Sequence, residues 1–289
     1  ADTRYDSTYH MYPDLVTNAL GQTQSATYDP KTGQVLTSTD PNGQVSTRVY
    51  DTFGRAKQAF GSYDDSSHPS AWYEYDISAI PVKVTAYARE KNNTDDPNKI
   101  RTTYTFSDGL GRTIEVKSDA QDPAKQIVSN IVVYNNRGLT DSKFFSYLIT
   151  PGALDRDKYV VPDFAQPKAS FQYDPVGRVI KTINPDNTYS TTTYARLVTA
   201  FTDENGHQKR STKDIYGRVL KIEEFNGASV YTTTYTYNTL DSLTKTVDTL
   251  GNTATIQYDS LGRKISMNDP DMGAWSYVYD EVGNLKSQT

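Results

Sequence analysis

The sequence predicts an all-β fold, and three observations carry the prediction. A Tyr-Asp-x-x-Gly-Arg pattern recurs about every 21 residues, as at Tyr258 and, in a closely related form that ends in Asn284, at Tyr279. Asn, Asp, Pro and Gly interrupt the chain at short intervals, and no stretch shows the periodicity of an amphipathic helix. A fixed period of this length is typical of a repeat architecture. We therefore expect antiparallel strands joined by tight turns.

Each repeat unit contains two predicted strands of about six residues and two turns of about four. In the first unit, residues 22–27 form a strand that leads into the turn at Tyr28-Asp29, and residues 34–39 form the next strand. Residues 40–43, Asp-Pro-Asn-Gly, turn the chain back. Pro presets φ, Asp or Asn bonds nearby backbone and Gly supplies a positive φ, so these residues suit such turns.

The regularity of the repeat divides the chain into three parts. We predict one repeat region over residues 1–289, with regular repeats in 1–55, irregular repeats with insertions in 56–170, and regular repeats in 171–289. Residues 140–168 are the longest departure from the pattern and are expected to form a folded surface excursion. We also expect the chain to be a segment of a longer polypeptide.

The recurring residues have a structural interpretation. The tyrosine ends a strand and packs against equivalent tyrosines one repeat away, the aspartate fixes the turn, and the glycine adopts a left-handed conformation. The arginine stacks on a neighbouring tyrosine and pairs with an aspartate. The residues assigned to this motif are Tyr28, Asp29, Gly33, Tyr50, Asp51, Gly54, Arg55, Phe106, Gly111, Arg112, Tyr134, Gly138, Tyr173, Asp174, Gly177, Arg178, Gly217, Arg218, Tyr237, Tyr258, Asp259, Gly262, Arg263, Tyr279, Asp280 and Gly283.

Composition narrows the possible functions. The net charge is -5 and the basic residues are scattered, which argues against nucleic-acid binding. The chain has no cysteine, so disulfides and thiolate chemistry are excluded. No apolar run approaches the ~20 residues of a membrane-spanning helix. Twenty-three tyrosines in a chain with only 36% hydrophobic residues favour a thin, wet sheet over disorder.

The motif, its spacing and its Asn/Asp-Pro-x-Gly turns resemble the YD repeats of bacterial RHS proteins, which animal teneurins share. Residues 72–112, with Phe-Ser-Asp-Gly-Leu-Gly-Arg at 106–112, are similar to the RHS portion of B-type subunits of Tc insecticidal toxin complexes. The resemblance implies an antiparallel β-strip, curved or spiralling as part of a hollow shell. It also implies a non-catalytic function, which is to enclose and carry a toxic C-terminal domain in a secreted or cell-surface protein.

The same resemblance implies the partners: the remainder of the shell, its enclosed C-terminal effector and other toxin-complex subunits. Glycans and further copies of the chain are additional candidate partners. Two features of such proteins are not found here. The aspartyl self-cleaving core that often ends an RHS shell is absent, and so is a β-propeller portion.

No residue is nominated for catalysis, for a cofactor or for a metal. The chain has three histidines, none beside a plausible nucleophile, and it has no HExxH pair. Close aspartate pairs such as Asp64 and Asp65 could ligate calcium, but solvated turns explain them better. A closed β-propeller ranks lower because its motif should recur only every second unit.

The main alternative function is an extracellular adhesion, carbohydrate-binding or self-assembling surface module built from the same repeats. Aromatic side chains on a sheet can stack on sugars. The candidates for glycan stacking are Trp72, Tyr73 and Tyr75, which precede a predicted strand at residues 81–87.

Overall fold

The computed structural model describes residues 2–91, 96, 99–152 and 155–289. These residues contain 26 β-strands and no α-helix, and every described strand pair is antiparallel. The predicted all-β, antiparallel fold is confirmed. The chain separates into two compact units, residues 1–168 (unit 1) and 169–289 (unit 2). This division lies close to the predicted boundary between irregular and regular repeats.

Unit 1 is a long meander with one excursion. Its strands β1 to β11 are neighbours in sequence order, and β14 pairs with β11 to complete a twelve-stranded sheet. A sheet of consecutive strands this wide excludes the separate four-stranded blades of a propeller. The strands are β1 Asp2–Tyr5, β2 Pro13–Thr17, β3 Thr23–Tyr28, β4 Val35–Thr39, β5 Val45–Tyr50, β6 Ala56–Phe60, β7 Ala71–Asp76, β8 Val82–Arg89, β9 Ile100–Ser107, β10 Thr113–Asp119, β11 Gln126–Ser129, β12 Val132–Tyr134, β13 Thr140–Phe144 and β14 Tyr147–Ile149.

Unit 2 is a regular meander in which each strand pairs with the next one along the chain. Glu223 is the one buried residue among those described in this unit, and all the others are half-buried or exposed. The sheet is therefore a single layer. Its strands are β15 Lys168–Tyr173, β16 Val179–Ile183, β17 Tyr189–Ala195, β18 Val198–Thr202, β19 Gln208–Lys213, β20 Val219–Asn226, β21 Ser229–Tyr237, β22 Leu243–Val247, β23 Thr253–Tyr258, β24 Lys264–Asp269, β25 Gly273–Tyr279 and β26 Leu285–Gln288.

The buried residues of β8 to β11 lie on one face of the twelve-stranded sheet because side chains alternate between faces along a strand. On β9 and β10, Phe106 lies opposite Glu115 and Tyr104 lies opposite Lys117. Val128 of β11 continues the second row beside Lys117. Residues 155–163, here called the flap, lie against this face. The excursion predicted at residues 140–168 therefore covers part of the sheet.

A small apolar core forms beside the flap. Val128, Ile131 and Phe144 are buried and in contact. Half-buried side chains from β12 and β14 pack around them, namely Val133, Tyr147 and Ile149. This cluster is the apolar core of the described structure, and it lies entirely within unit 1.

Candidate functional site: the repeated Tyr-Asp-Gly-Arg joint

The turn of each repeat is built around its aspartate. Asp259 Oδ1 accepts the backbone N–H groups of Leu261 at 3.0 Å and Arg263 at 2.9 Å. The Gly262 N–H donates to the Asp259 carbonyl at 3.0 Å, and Gly262 has a φ of +78°. A short acceptor side chain at the first position and a residue that tolerates positive φ at the fourth are therefore required. The predicted roles of the aspartate and glycine are those that the geometry shows.

The arginine joins two successive repeats. Arg263 Nε donates to Asp259 Oδ2 at 2.6 Å, and its guanidinium lies over the Tyr279 ring, 5.0 Å from the centroid. Tyr279 Oη donates to the carbonyl of Lys264, the residue that follows the arginine, at 2.9 Å. The tyrosine of one repeat therefore docks on the arginine of the repeat before it.

The arrangement recurs in both units. Arg55, Arg112, Arg178 and Arg218 each donate from Nε to the turn aspartate, at 2.6 to 2.8 Å. Their guanidinium groups lie 3.6 to 5.3 Å from the centroids of Tyr75, Tyr134, Tyr194 and Tyr237 respectively. The tyrosines whose Oη donates to a backbone carbonyl of the preceding repeat are Tyr28, Tyr50, Tyr75, Tyr194, Tyr237, Tyr258 and Tyr279.

Equivalent tyrosines were expected to stack on one another, but most of these rings contact a different residue in the structure. Tyr28 does stack on a tyrosine, Tyr12, with centroids 5.0 Å apart. In five other joints the tyrosine ring contacts an arginine instead, and these tyrosines are Tyr75, Tyr134, Tyr194, Tyr237 and Tyr279. One arginine side chain donates a hydrogen bond to the turn aspartate and also stacks on the tyrosine ring, so it links the turn to the next repeat.

A β-bulge at the motif tyrosine was not predicted. The strand register shifts immediately before Tyr28, Tyr50, Tyr173, Tyr237, Tyr258 and Tyr279. A bulge inserts one residue and increases the local twist of the strand.

Within each joint, the positive charge of the arginine compensates the negative charge of the turn aspartate. The largest cause that lowers the pKa of Asp259 is the hydrogen bond from the Arg263 backbone; burial opposes it, and the Arg263 side chain lowers the pKa further. The Arg112 side chain likewise gives the largest contribution to the lowered pKa of Asp108. These carboxylates are ionised and fully used as hydrogen-bond acceptors, so they are poorly placed to act as general acids or bases.

Phe106 and Gly111 belong to a joint in which phenylalanine replaces tyrosine. Phe106 is 2% exposed and contacts Tyr159 of the flap edge-on at 5.8 Å. A hydroxyl at this position would need a partner beneath the flap. The substitution is therefore explained by the cover that the flap provides.

The other ionisable candidates have local partners. His68 Nδ1 lies 2.7 Å from Asp65, and His207 Nδ1 lies 2.9 Å from Asp203, the aspartate of its own turn. Across the described parts of the chain, no cluster of three His, Asp or Glu side chains could hold a metal ion. Asp65 and Asp203 therefore act within their own turns.

The three aromatic residues proposed for glycan stacking do not share one face. Trp72 stacks on Tyr87 with centroids 4.7 Å apart, and Arg89 lies over its ring. Tyr73 and Tyr75 point to the opposite face by the alternation of β7, and Tyr75 Oη donates to the Ala56 carbonyl at 2.7 Å. Glycan stacking by these residues remains a prediction.

Sequence reasoning missed the buried ionic residues of β10. Glu115 and Lys117 are both completely buried under the flap. In the sequence they are an ordinary pair of charged residues in an alternating strand, which is typical of an exposed face. The signal that could have indicated them is the loss of the repeat at residues 140–168, because an insertion of that length can cover a neighbouring strand.

Comparison with known proteins identifies the fold. No protein-family model and no curated protein matches the sequence. A crystal structure of TcdB2-TccC3-Cdc42 matches 98% of this chain with a TM-score of 0.77 at 16% identity, and one of TcdB2-TccC3 matches 99% with 0.71 at 17% identity. A Tc holotoxin pore of Photorhabdus luminescens matches 99% with a TM-score of 0.69 at 15% identity.

The present chain spans about a fifth of the length of these matched chains, at 20%, 19% and 21% respectively. The 26 antiparallel strands and the repeated joints extend along the described residues of this chain from end to end. The predicted resemblance to RHS proteins of the Tc toxin type is confirmed at the level of the fold: this chain is an antiparallel β-strip similar in fold to part of the Tc toxin chains.

Proposed function

We propose that this chain is a structural segment of an RHS-type shell that encloses and carries a toxin or effector domain, and that it is not an enzyme. The observation that carries the proposal is the match of nearly the whole chain to TcdB2-TccC3 chains at a TM-score of 0.77. The joint supports the structural role, because its tyrosine, aspartate and arginine are used to connect one repeat to the next.

The physical character of unit 2 suits a wall. Its single layer has few buried residues, and successive repeats are held together by local contacts along the strip. Stability of this kind is a sum over repeats and their neighbours, so a strip can be extended without a growing core. A long thin sheet of this kind can separate an interior from solvent.

The proposed partners follow from the shell. They are the remainder of the same RHS shell, its enclosed C-terminal effector and other subunits of a toxin complex. We propose that the protein is secreted or located at the cell surface. The described residues include no helix of the length and hydropathy that a membrane span requires.

Cryo-electron microscopy of the complete gene product tests the shell. We expect a closed β-shell that contains this strip in its wall and holds density for a further domain inside. A particle without an interior, or a strip with both faces open to solvent, would contradict the proposal.

A glycan-array screen tests the adhesion alternative. The chain should show no specific glycan binding if its role is the wall of a shell. Binding that is lost in Trp72→Ala or Tyr73→Ala, while circular dichroism and the melting temperature are unchanged, would favour adhesion instead.

A further inference from the structure

The edges of the flap of unit 1 are attached to the sheet by ion pairs. Asp157 of the flap accepts a bond from Lys83 Nζ of β8 at 2.7 Å. Arg156 of the flap donates to Asp119 Oδ1 at the end of β10, at 2.9 Å. These ion pairs are partly exposed to solvent, so each contributes little to holding the flap closed. The contacts in the middle of the flap therefore decide how firmly it is held.

Two buried side chains of β10 make those central contacts. Lys117 Nζ donates to the flap carbonyls of Asp155 at 3.2 Å and Lys158 at 2.6 Å. Glu115 Oε1 accepts the N–H of Val160 at 3.1 Å. Both side chains have a relative exposure of 0%. The flap backbone is thus held by one carboxyl group and one ammonium group that have no access to solvent.

The carboxyl group is incompletely satisfied. Glu115 Oε2 is buried and has no hydrogen-bond partner. An ionised carboxylate in such a site lacks the donors that water would supply, whereas the neutral acid is far less costly to bury. Burial accordingly raises the pKa of Glu115 to about 7, opposed by the Val160 N–H and by Lys117. Burial also lowers the pKa of Lys117, opposed by the charge of Glu115.

The surroundings of Glu115 offer few other charges. The flap contributes Tyr159, and β14 contributes Tyr147, both with pKa values raised by burial. On the same face, β9 presents Phe106 and Tyr104, and burial also raises the pKa of Tyr104. Strand β11 presents Val128 and Gln126, which do not titrate. The charged groups that act on Lys117 are Glu115, Asp155, Arg156 and Asp157.

We propose that Glu115 is a proton-operated latch: the flap is closed while this carboxyl is protonated and is released when it ionises. The proton passes to water, and no bond other than Oε–H is broken. The new carboxylate attracts Lys117, which lies two residues away on the same face. An ammonium drawn to Glu115 leaves the carbonyls of Asp155 and Lys158, so the flap loses two of its three central hydrogen bonds.

The direction of the pH dependence follows from proton linkage. The closed state binds the Glu115 proton more tightly than an open state in which the carboxyl has its ordinary pKa of 4.5. Closure is therefore fully favoured below about pH 4.5, weakens as the pH rises towards 7, and is constant above that. A difference of this size corresponds to a change on the order of 10²-fold in the closed-to-open ratio.

Hydrogen exchange of the whole chain tests the latch. Protection factors of the amides of residues 155–161 and 163 are measured from pH 5 to pH 8.5. Each is the ratio of the unstructured to the observed exchange rate, which removes the direct effect of pH. We expect protection of the flap to fall on the order of 10²-fold across this range. In Glu115→Gln, which cannot ionise, protection of these amides should remain high at every pH.

Glu223→Gln is the matched control. Glu223 is also a buried carboxylate on a strand, but Arg210 binds it at 2.7 Å and lowers its pKa to about 2. This variant should leave the pH response of the flap unchanged. Flap protection that stays constant in the wild type, or that falls equally in Glu115→Gln, would overturn the latch.

Direct titration keeps the proposal testable if Glu115→Gln does not fold. Carboxyl ¹³C resonances of the wild-type chain report the pKa of Glu115, and a midpoint near its ordinary value would contradict the latch. The test of the latch is independent of the test of the proposed shell. A failed latch leaves the structural role intact, and an open or solid particle in electron microscopy leaves the latch intact.

Discussion

Units 1 and 2 are built from the same joint, but they bury their residues differently. Unit 2 is a single-layer meander whose one buried residue among those described, Glu223, belongs to an ion pair with Arg210. Unit 1 contains the apolar cluster around Ile131 and the flap above β10. The difference shows that local joints are sufficient to hold a strip together. A core requires an insertion that covers one face.

The largest expected effect comes from truncating a side chain of the apolar core in unit 1. Ile131→Ala should destabilise unit 1 by about 3–4 kcal/mol, because Ile131 is 1% exposed and the truncation leaves a cavity. The two tryptophans fall one in each unit, Trp72 in unit 1 and Trp275 in unit 2. Urea unfolding of Trp275→Phe and Trp72→Phe backgrounds therefore reports each unit by fluorescence.

Leu261→Ala is the control, since Leu261 is 75% exposed at a turn of unit 2. It should change stability by less than about 0.5 kcal/mol. If Ile131→Ala were equally mild, the apolar cluster would not distinguish the two units.

The second prediction concerns a substitution that disrupts one joint of unit 2, the unit that lacks an apolar core. Gly262→Val should destabilise unit 2 by about 2 kcal/mol, because a β-branched residue at a φ of +78° is strained. An added Cβ would meet no atom within 4 Å, so the effect comes from the backbone alone. Urea unfolding followed at Trp275 measures it.

Gly262→Asn should be much milder. Asparagine tolerates this conformation, and Asn187 adopts a φ of 67° in another turn of the same unit. Equal stability of the valine variant, together with loss of a bound ligand, would show that the joint is a binding site and not a connection.

The third prediction measures the link between repeats. A double-mutant cycle with Arg263→Gln and Tyr279→Leu should give a coupling of about 0.5–1 kcal/mol in unit 2. The physical reason is the guanidinium placed 5.0 Å from the ring centroid. A cycle between Arg263 and Tyr237, which belongs to an earlier repeat, should give a coupling near zero. Equal couplings in the two cycles would refute a specific contact.

The fourth prediction compares the pH dependence of the units and has the smallest effect per group. The lowered pKa of Asp259 contributes stability above about pH 4 that is lost as the pH falls through the folded-state pKa. Unit 2 should therefore melt at lower temperature below pH 4, and Asp259→Asn should reduce this slope. The flap of unit 1 should respond in the opposite direction between pH 7 and 4.5, because the pKa of Glu115 is raised.

Thermal unfolding from pH 7 to pH 2.5, monitored at Trp275, tests the acid limb. The result would contradict this account if the melting temperature of unit 2 rose on acidification below pH 4. It would also do so if Asp259→Asn had the same slope as the wild type.

Local structure was largely predictable because the repeat is a local object. The strand predicted at residues 34–39 is β4 at Val35–Thr39, and that predicted at 22–27 is β3 at Thr23–Tyr28. Strand β3 extends one residue further than predicted because the tyrosine is the last residue of its strand and the site of the bulge. The aspartate and glycine roles followed from turn geometry that extends over only five residues.

The partners of the joint side chains were less predictable. The arginine was expected on a tyrosine, but the sequence does not say which one, and the equivalent tyrosines were expected to stack on each other. The choice depends on strand register, since the bulge sets where Tyr279 lies relative to Arg263. Trp72 and Tyr75 were grouped by proximity in sequence, whereas alternation along β7 places them on opposite faces.

The sequence by itself determined the all-β class, the turn chemistry and the period of the joint, because each depends on residues that are close along the chain. The tertiary structure alone decided that Glu115 and Lys117 are buried, because residues about 40 positions later cover them. A charged strand residue is exposed or buried according to what packs on its face. Local sequence carries no record of that distant segment.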